Sequence, residues 1–305
     1  MKRAVLFPVF FVVLGAAAGS LYFAQRRQKA SPVSANALVE LAADAQRDVT
    51  RIPLRYTRLS DEEEIAIGKD LTAQYGSIKQ PMDAEQRALQ EYVSRVGAKL
   101  AVHAHRPLPY QFQLIPDQNV INAFSLPGGT VYIGEGLTDL LMTEDELAAI
   151  LAHEVEHVDH YHCVERIQIE AQLWHLNLGA VGALVQLPLS LWEAGYHKDE
   201  ELEADREGMF LLVQSGYSPY GAVRLFELLG KLQREYVIHA ETPEEELSDL
   251  AVQGLGGYFR THPETTERLE QARRIIAAQN WQQRTGQQPF RIAYEIDEGA
   301  ANARQ

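Results

Sequence analysis

The stretch from Leu147 to Arg166 reads LAAILAHEVEHVDHYHCVER, and its centre is the motif His153-Glu154-Val155-Glu156-His157. On an α-helix, residues four apart lie on the same face about one turn apart, so both imidazoles can bind a single metal ion. Glu154 then lies beside that ion, where it can hold a metal-bound water and remove its proton. The motif therefore predicts a helix that binds a metal and carries a general base.

Local signals support a helix around this motif. Thr143 is followed three residues later by Glu146, which is the pattern of a capping box at a helix N-terminus. Apolar residues then recur at helical spacing, at Leu147, Ile150, Leu151, Val155 and Val158. The motif itself is short enough to occur by chance, so a metal site requires a third ligand.

The third ligand is best supplied by a second helix. Metzincin peptidases place it later in the same motif, beyond a glycine, but here His160 stands at the glycine position and Cys163 at the ligand position. The strongly helical run Glu201–Gly208 instead carries Glu201 and Asp205 one turn apart. Glu201 would complete a His, His, Glu site with water in the fourth position, and Asp205 would fix the tautomer of a ligand histidine. Acidic helical runs are usually solvated surfaces, so this assignment depends on the pairing with the histidine motif.

The combination of His-Glu-x-x-His with a later Glu-x-x-x-Asp resembles the gluzincin metallopeptidases related to the heat-shock protease HtpX and the CAAX prenyl proteases. The likeness is greatest to the periplasmic and mitochondrial branch that includes BepA. Further shared markers are the segments Asn122–Gly129 and Tyr132–Leu137, and the tripeptide Thr261-His262-Pro263 followed by Arg268. Together the markers extend from about Ser60 to about Ala278, which is most of the chain.

This resemblance implies an α+β, mainly helical fold with a small β-sheet that edges the active-site cleft. It implies a zinc metalloendopeptidase that binds one Zn²⁺ through His153, His157 and Glu201, with Glu154 as general base. It also implies unfolded or misassembled membrane and envelope proteins as substrates, in protein quality control. The sheet edge is expected to pair with extended substrate backbone, with contacts at Asn122, Gly129, Thr130, Val131 and Tyr132.

The resemblance also implies a catalytic role for His262 and Arg268. Pro263 at the first helical position would leave His262 close to a helix N-terminus, where backbone N–H groups favour anionic charge. His262 can stabilise the oxyanion of the tetrahedral intermediate there, helped by Arg268. Alternatively, it can displace the water and close the zinc as a fourth ligand on a movable loop, for which the glycine-bearing segment 253–257 would supply flexibility. The BepA-like branch resembles the second case.

The other polar residues near the motif receive structural interpretations. A helical wheel places His162 on the face opposite to His153, which predicts a structural role. His160 is interpreted as a packed histidine, and Cys163 as a small buried residue. His103 and His105 have no motif around them and are assigned no role.

Composition restricts the classes of partner. The chain has 42 acidic and 28 basic residues among 305, a formal net charge of −14. Such a charge argues against nucleic acid and against an anionic membrane surface as binding partners. A single cysteine excludes intramolecular disulfides.

Residues 1–30 are interpreted as a membrane anchor or signal segment. Ala4–Ala24 is uncharged and about as long as a bilayer core is thick, and basic residues flank it on both sides. Ala16-Ala17-Ala18 fits a signal-peptidase site, but the apolar run continues to Phe23, which favours an uncleaved single-pass anchor. The flanking charges leave the orientation open. The resemblance implies an extracytoplasmic or periplasmic catalytic domain.

The rest of the chain divides into three segments. Residues 31–57 form a tether with a short helix, 58–280 the metallopeptidase domain, and 281–305 a tail that includes a strand. Within the domain we expect a strand at Tyr110–Leu114 and a hairpin formed by Val120–Phe124 and Thr130–Ile133. The apolar segment Ala171–Trp192 is interrupted by polar residues, so we expect a buried helical hairpin there rather than a second membrane span.

Three functions compete at this stage. The first is a zinc endopeptidase, the second a chaperone-like zinc-binding membrane protein with little proteolysis, and the third a zinc-binding membrane scaffold. A closed four-ligand site would favour the scaffold. Glu154 favours the peptidase, because a purely structural site has no need of a base at that position.

Overall fold

The computed structural model describes residues 59–76, 81–173, 196–239, 262 and 265–290. The predicted anchor (1–30) and tether (31–57) lie outside these residues. So do segment 253–257, Thr261, Pro263, residues 174–192 of the expected hairpin and the tail from residue 291. No helix within the described ranges has the length and apolar character that a membrane span requires.

The described residues form helices around a three-stranded sheet. The helices are α1 (Asp61–Gly76), α2 (Ala84–Ala101), α3 (Glu135–Thr138), α4 (Glu144–Asp159), α5 (His162–Leu173), α6 (Lys198–Gln214), α7 (Tyr220–His239) and α8 (Thr265–Ala278). The strands are β1 (Gln111–Ile115), β2 (Ala123–Leu126) and β3 (Thr130–Gly134). The predicted mainly helical α+β fold with a small sheet is therefore confirmed.

Helix α4 lies at the centre of the molecule. It packs against α2, α6 and α7 and against β2, and every residue from Asp145 to Asp159 is buried. The predicted capping box is present at its start, since the Glu146 amide donates to the Thr143 hydroxyl and the Glu146 carboxylate accepts from the Thr143 amide. Arg224 of α7 donates to the same Glu146 carboxylate at 3.0 Å. The central position of α4 means that its polar motif residues sit inside the protein.

The path of the chain changes sharply after α4. Tyr161 has a φ of 63°, in the left-handed region, and α5 begins at the next residue, His162. A non-glycine residue in this region ends a helix and redirects the side chains that follow. The residues after His160 therefore do not continue the helical wheel of α4.

The sheet has the strand order β1-β3-β2. Strands β2 and β3 form the predicted antiparallel hairpin, although β2 starts at Ala123 rather than at Val120. Strand β1 covers Gln111–Ile115, close to the predicted strand, and pairs in parallel with β3. Because β3 is bonded on both sides, its backbone is not a free edge. Among the described strands, the outer edges belong to β1 and β2.

The turn between β2 and β3 is fixed by α1. Gly128 and Gly129 have φ values of 79° and 99°, which favour glycine. The Gly128 amide donates to the fully buried Glu64 carboxylate at 3.0 Å. Arg106 also pairs with Glu64, and it donates to the Val158 carbonyl at 2.8 Å. One buried ion pair thus connects α1, the hairpin turn and the end of α4.

Helices α6 and α7 approach α4 closely through glycine. A Cβ atom on Gly208 of α6 would lie 3.3 Å from the backbone nitrogen of His153, and one on Gly221 of α7 would lie 2.3 Å from the carbonyl oxygen of Asp145. Helix α6 ends at a glycine cap. Gly216 has a φ of 80°, and the amide of Tyr217 donates to the Leu212 carbonyl, as in a Schellman motif.

Candidate metal centre

Helices α4 and α6 bring the three predicted ligands together. The Nε2 atoms of His153 and His157 are 3.0 Å apart. Nε2 of His153 lies 3.5 Å from Oε2 of Glu201, and Nε2 of His157 lies 3.3 Å from Oε1 of Glu201. All three side chains are buried. The three ligand atoms therefore face one shared point between the two helices.

The spacing of these atoms fits a zinc ion. Tetrahedral zinc with bonds of about 2.0–2.1 Å keeps its ligand atoms about 3.3 Å apart, and the observed separations lie on either side of that value. Asp205 Oδ1 lies 2.8 Å from Nδ1 of His153. With the Nδ1 proton directed to Asp205, the lone pair on Nε2 points to the shared point. The structure thus brings Asp205 to the place that the sequence predicted for it.

The charges in the site also suit a cation. Burial opposes ionisation of Glu201, but the positive charges of His262, Arg268 and His153 outweigh it and hold the pKa of Glu201 well below its usual range. Burial and the charge of His153 lower the pKa of His157. Burial alone would lower the pKa of His153, yet the charge of Glu201 outweighs burial and raises that pKa to about 9. The site therefore holds an ionised carboxylate that draws positive charge, and a bound cation would replace the proton on His153.

His162 is a functional residue that the helical wheel misplaced. The wheel put it on the face opposite to the metal ligands, but its Nδ1 lies 2.9 Å from Nδ1 of His157. The reason is the left-handed Tyr161, which turns His162 back to the ligand. Nε2 of His162 in turn lies 3.4 Å from Oε2 of Glu203. The predicted placement on the opposite face was wrong, since His162 contacts the ring of His157.

Tyr196 is a second residue that sequence reasoning missed. Its ring stacks on His157 with the centroids 3.6 Å apart and an interplanar angle of 13°. Its hydroxyl lies 3.2 Å from the Cys163 sulfur. Tyr196 precedes α6 outside any motif, so no signal in the sequence pointed to it.

Arg268 lies behind the ligands. Its guanidinium donates from Nε and Nη2 to the two carboxylate oxygens of Asp205, at 2.6 and 2.7 Å, and Nη1 lies 3.3 Å from Glu201 Oε2. The side chain is buried against the ring of Phe226. This geometry differs from the expected contact with a substrate oxyanion, because Asp205 and Glu201 already face all three nitrogens. In this structure the guanidinium of Arg268 therefore pairs with Asp205 and Glu201.

His262 lies on the open side of the three ligands. Its Nδ1 is 3.0 Å from Glu201 Oε2 and 3.3 Å from His153 Nε2. Its Nε2 is 3.4 Å from Glu154 Oε1 and 3.4 Å from the Ala123 carbonyl oxygen. The buried side chains of His153, His157, Glu201 and His262 thus form one group that could hold a metal ion. Glu154 lies beside this group, and its Oε2 has no hydrogen-bond partner among the described residues.

The expected substrate-binding residues divide into two sets. Asn122 adjoins the edge of β2, and its Oδ1 accepts a hydrogen bond from the Ala123 amide at 3.0 Å. Thr130, Val131 and Tyr132 belong to the central strand, so their backbone groups are already paired, and Gly129 packs against Tyr110. The expectation of a free edge at these four residues is therefore wrong. The edge that faces the metal ligands belongs to β2, because the Ala123 carbonyl points to His262.

Comparison with known proteins agrees with this site. The profile described as Peptidase family M48 matches residues 84–276. The beta-barrel assembly-enhancing protease of Yersinia pestis is 26% identical over 67% of this chain and 46% of its own. The mitochondrial metalloendopeptidase OMA1 of Schizosaccharomyces pombe is 32% identical over 52% of this chain and 48% of its own. The metalloprotease LoiP of Escherichia coli is 31% identical over 42% of this chain and 54% of its own.

The chain thus spans about half the length of these curated relatives. The family profile covers well over half of the chain and includes the ligands on α4 and α6. The resemblance drawn from the motifs is confirmed. The chain belongs to peptidase family M48.

Proposed function

We propose that the chain is a zinc-dependent endopeptidase that cleaves unfolded or misassembled membrane and envelope proteins in protein quality control. The observation that carries the proposal is the Glu154 carboxylate, which is buried beside the three ligand atoms with one oxygen unbonded among the described residues. A carboxylate in this position can take a proton from an attacking water. The proposed substrate class is supported by relatives named for β-barrel assembly and as a mitochondrial metalloendopeptidase.

His153, His157 and Glu201 would hold the zinc. When bound, zinc polarises a scissile carbonyl and lowers the pKa of water toward 7. Glu154 accepts the proton of the attacking water and passes it to the leaving amine. Asp205 fixes the His153 ring, so the catalytic geometry is set before substrate binds.

Contacts around His157, Asp205 and Glu201 also keep the geometry of the proposed site fixed. His162 fixes the ring of His157, and Arg268 holds the carboxylates of Asp205 and Glu201. Substrate backbone would add to the edge of β2 near Ala123, which suits a protease because main-chain pairing is indifferent to side chains.

A chaperone-like role with a structural zinc is the alternative, and one observation favours it. His262 completes a group of four potential ligands, and structural zinc sites are typically closed by four protein ligands. We assign this arrangement to a closed state of the peptidase, because a structural site does not require Glu154 beside the ligands.

The substitution Glu154→Gln separates the two functions. The amide cannot accept a proton, so we expect unchanged zinc content and a fall in hydrolysis of unfolded casein by about 10²–10⁴-fold. Glu207→Gln is the matched control, since Glu207 pairs with Arg206 on the surface of α6. Hydrolysis at the wild-type rate by Glu154→Gln would contradict the mechanism. Used as a trap in the native membrane, the same variant would capture substrates for identification.

A further inference from the structure

A second group of potential metal ligands lies at the C-terminal end of α4. It consists of His105, Glu156 and Asp159, whose ligand atoms all lie within 4.8 Å of one another. Glu156 and Asp159 are buried on α4, whereas the His105 side chain, on the loop after α2, is 71% exposed. This group shares no residue with the group of His153, His157, Glu201 and His262.

Glu156 is a buried carboxylate whose surroundings indicate a bound cation. Its side chain is 1% exposed, and neither carboxylate oxygen has a hydrogen-bond partner in the described part of the chain. The neighbouring group is His160, whose Nε2 lies 3.3 Å from Oε2. This ion pair involves Oε2 and leaves Oε1 without a hydrogen-bond partner among the described residues. A buried carboxylate with an unsatisfied oxygen needs an explanation, of which a bound ion is one.

The other two residues are held in place to form a site. Asp159 accepts from the backbone amide of His105 at 2.6 Å and from the hydroxyl of Tyr110 at 2.6 Å. The Nδ1 atom of His105 lies 3.5 Å from Oδ2 of Asp159, close to the spacing of about 3.3 Å between ligands of a tetrahedral zinc. The backbone of His105 is fixed and its imidazole is exposed. The ring can therefore rotate to bring its nitrogen to the spacing that a zinc ion requires.

The position in the fold also favours a cation. Helix α4 ends at Asp159, and the C-terminus of a helix carries a partial negative charge that attracts cations. The loop after α2 reaches this helix end through His105, Arg106 and Tyr110, which all donate hydrogen bonds to Asp159. A cation bound there would connect the loop to the helix that carries His153, Glu154 and His157.

We propose that His105, Glu156 and Asp159 form a second, structural divalent-cation site that takes Zn²⁺. One imidazole nitrogen and two carboxylates are a mixed ligand set that suits this ion, with water completing the coordination. His160 pairs with Oε2 of Glu156, so Oε1 is the oxygen assigned to the ion. The site depends on none of the ligands of the proposed catalytic zinc.

The test is the zinc content of the full-length chain. The protein is stripped with a chelator, reloaded with excess Zn²⁺, dialysed against low free zinc and analysed by mass spectrometry of the metal. We expect two zinc ions per chain in the wild type and one in His105→Ala, with peptidase activity retained in that variant. His103→Ala is the matched control, because His103 is an exposed histidine on the same loop outside the group, and it should keep two ions.

Two further variants make the result decisive. Glu156→Gln should also bind one ion, and if this buried substitution prevents folding, the exposed His105→Ala still tests the site. Glu201→Ala should lose the first ion and keep the second, which distinguishes failure of this site from failure of the proposed catalytic site. A single ion in the wild type, or two ions in both His105→Ala and Glu156→Gln, would overturn the proposal.

Discussion

His262 occupies the place that a substrate would need in the proposed mechanism. Its Nε2 contacts both Glu154 Oε1 and the Ala123 carbonyl, which are the base and the backbone edge that a bound peptide would use. Its Nδ1 lies against Glu201 and His153, at the position of a fourth ligand. The imidazole therefore blocks the base, the edge and the open coordination position together.

We expect His262→Ala to raise the rate of hydrolysis several-fold. The substitution removes the block and leaves His153, His157 and Glu201 to hold the metal, so zinc content should stay at the wild-type level. Turnover of one unfolded substrate by variant and wild type is the measurement. A histidine that stabilised the oxyanion would instead cause a fall of about 10²–10³-fold when removed. Equal rates would contradict both roles.

The sequence alone was sufficient to predict the ligands of the candidate metal centre and the supporting Asp205, but not the other supporting residues. His153 and His157 follow from helical spacing, and Glu201 with Asp205 from the same rule on a second helix. His162 could not be predicted, because the wheel assumes a continuous helix and the left-handed Tyr161 breaks it. Arg268 was predicted at the site, but its partners Asp205 and Glu201 could not be predicted, since they become known only when α8 packs on α6.

At the level of elements, the contact between α7 and α4 depends on Gly221. Its Cα lies so close to the first turn of α4 that an added methyl group would be 2.3 Å from the Asp145 carbonyl. The same turn is held by Asp145, whose carboxylate accepts from the amides of Ser218 and Gln288. These bonds tie the first turn of α4 to Ser218, two residues before α7, so a shift that relieved the clash would strain them.

We expect Gly221→Ala to lower the free energy of unfolding by about 1–3 kcal/mol, the usual cost of overpacking. Gly208→Ala is the matched control on α6. Its methyl group would meet the backbone of His153 at 3.3 Å, and the gain in helix propensity of about 1 kcal/mol offsets that closer contact. Urea unfolding followed by circular dichroism gives both values. Similar losses in the two variants would show that Gly221 has no special role.

The strands of the sheet could be predicted from the sequence, but their order could not. Alternating apolar residues and the Leu126-Pro127-Gly128-Gly129 turn were sufficient to predict β1 and the hairpin. They could not show which strand is central, because the parallel pairing of β1 with β3 joins residues distant in sequence. The expected substrate contacts were consequently placed mostly on β3, although the free edge that faces the metal ligands belongs to β2.

At the level of the whole molecule, the single cysteine reports on opening of the structure. Cys163 is fully buried, and burial raises the pKa of its thiol to about 12. Since the thiolate is the reactive form, labelling by a disulfide reagent at pH 8 should be about 10³-fold slower in the native than in the urea-unfolded protein. Chelation should accelerate labelling, because Tyr196 covers both Cys163 and the ligand His157. Rapid labelling of the metal-loaded protein would show that this region is open.

Attachment to the membrane is the prediction for the complete chain. The uncharged stretch Ala4–Ala24 should make the protein sediment with membranes and be released by detergent but not by high salt. Sequencing the N-terminus of the mature protein decides between anchor and signal peptide. A mature chain that begins near Gly19 would establish cleavage.

The ion pair between Glu64 and Arg106 limits how far the chain can be shortened from its N-terminal side. The M48 profile begins at residue 84, yet Glu64 on α1 neutralises the buried Arg106 and binds the Gly128 amide of the hairpin turn. A chain trimmed to the profile would keep every metal ligand on α4 and α6. It would also leave a guanidinium buried without its carboxylate, at a cost of several kcal/mol. The minimal active fragment therefore begins before α1, and the first helix is as much a part of the peptidase as the motif that identifies it.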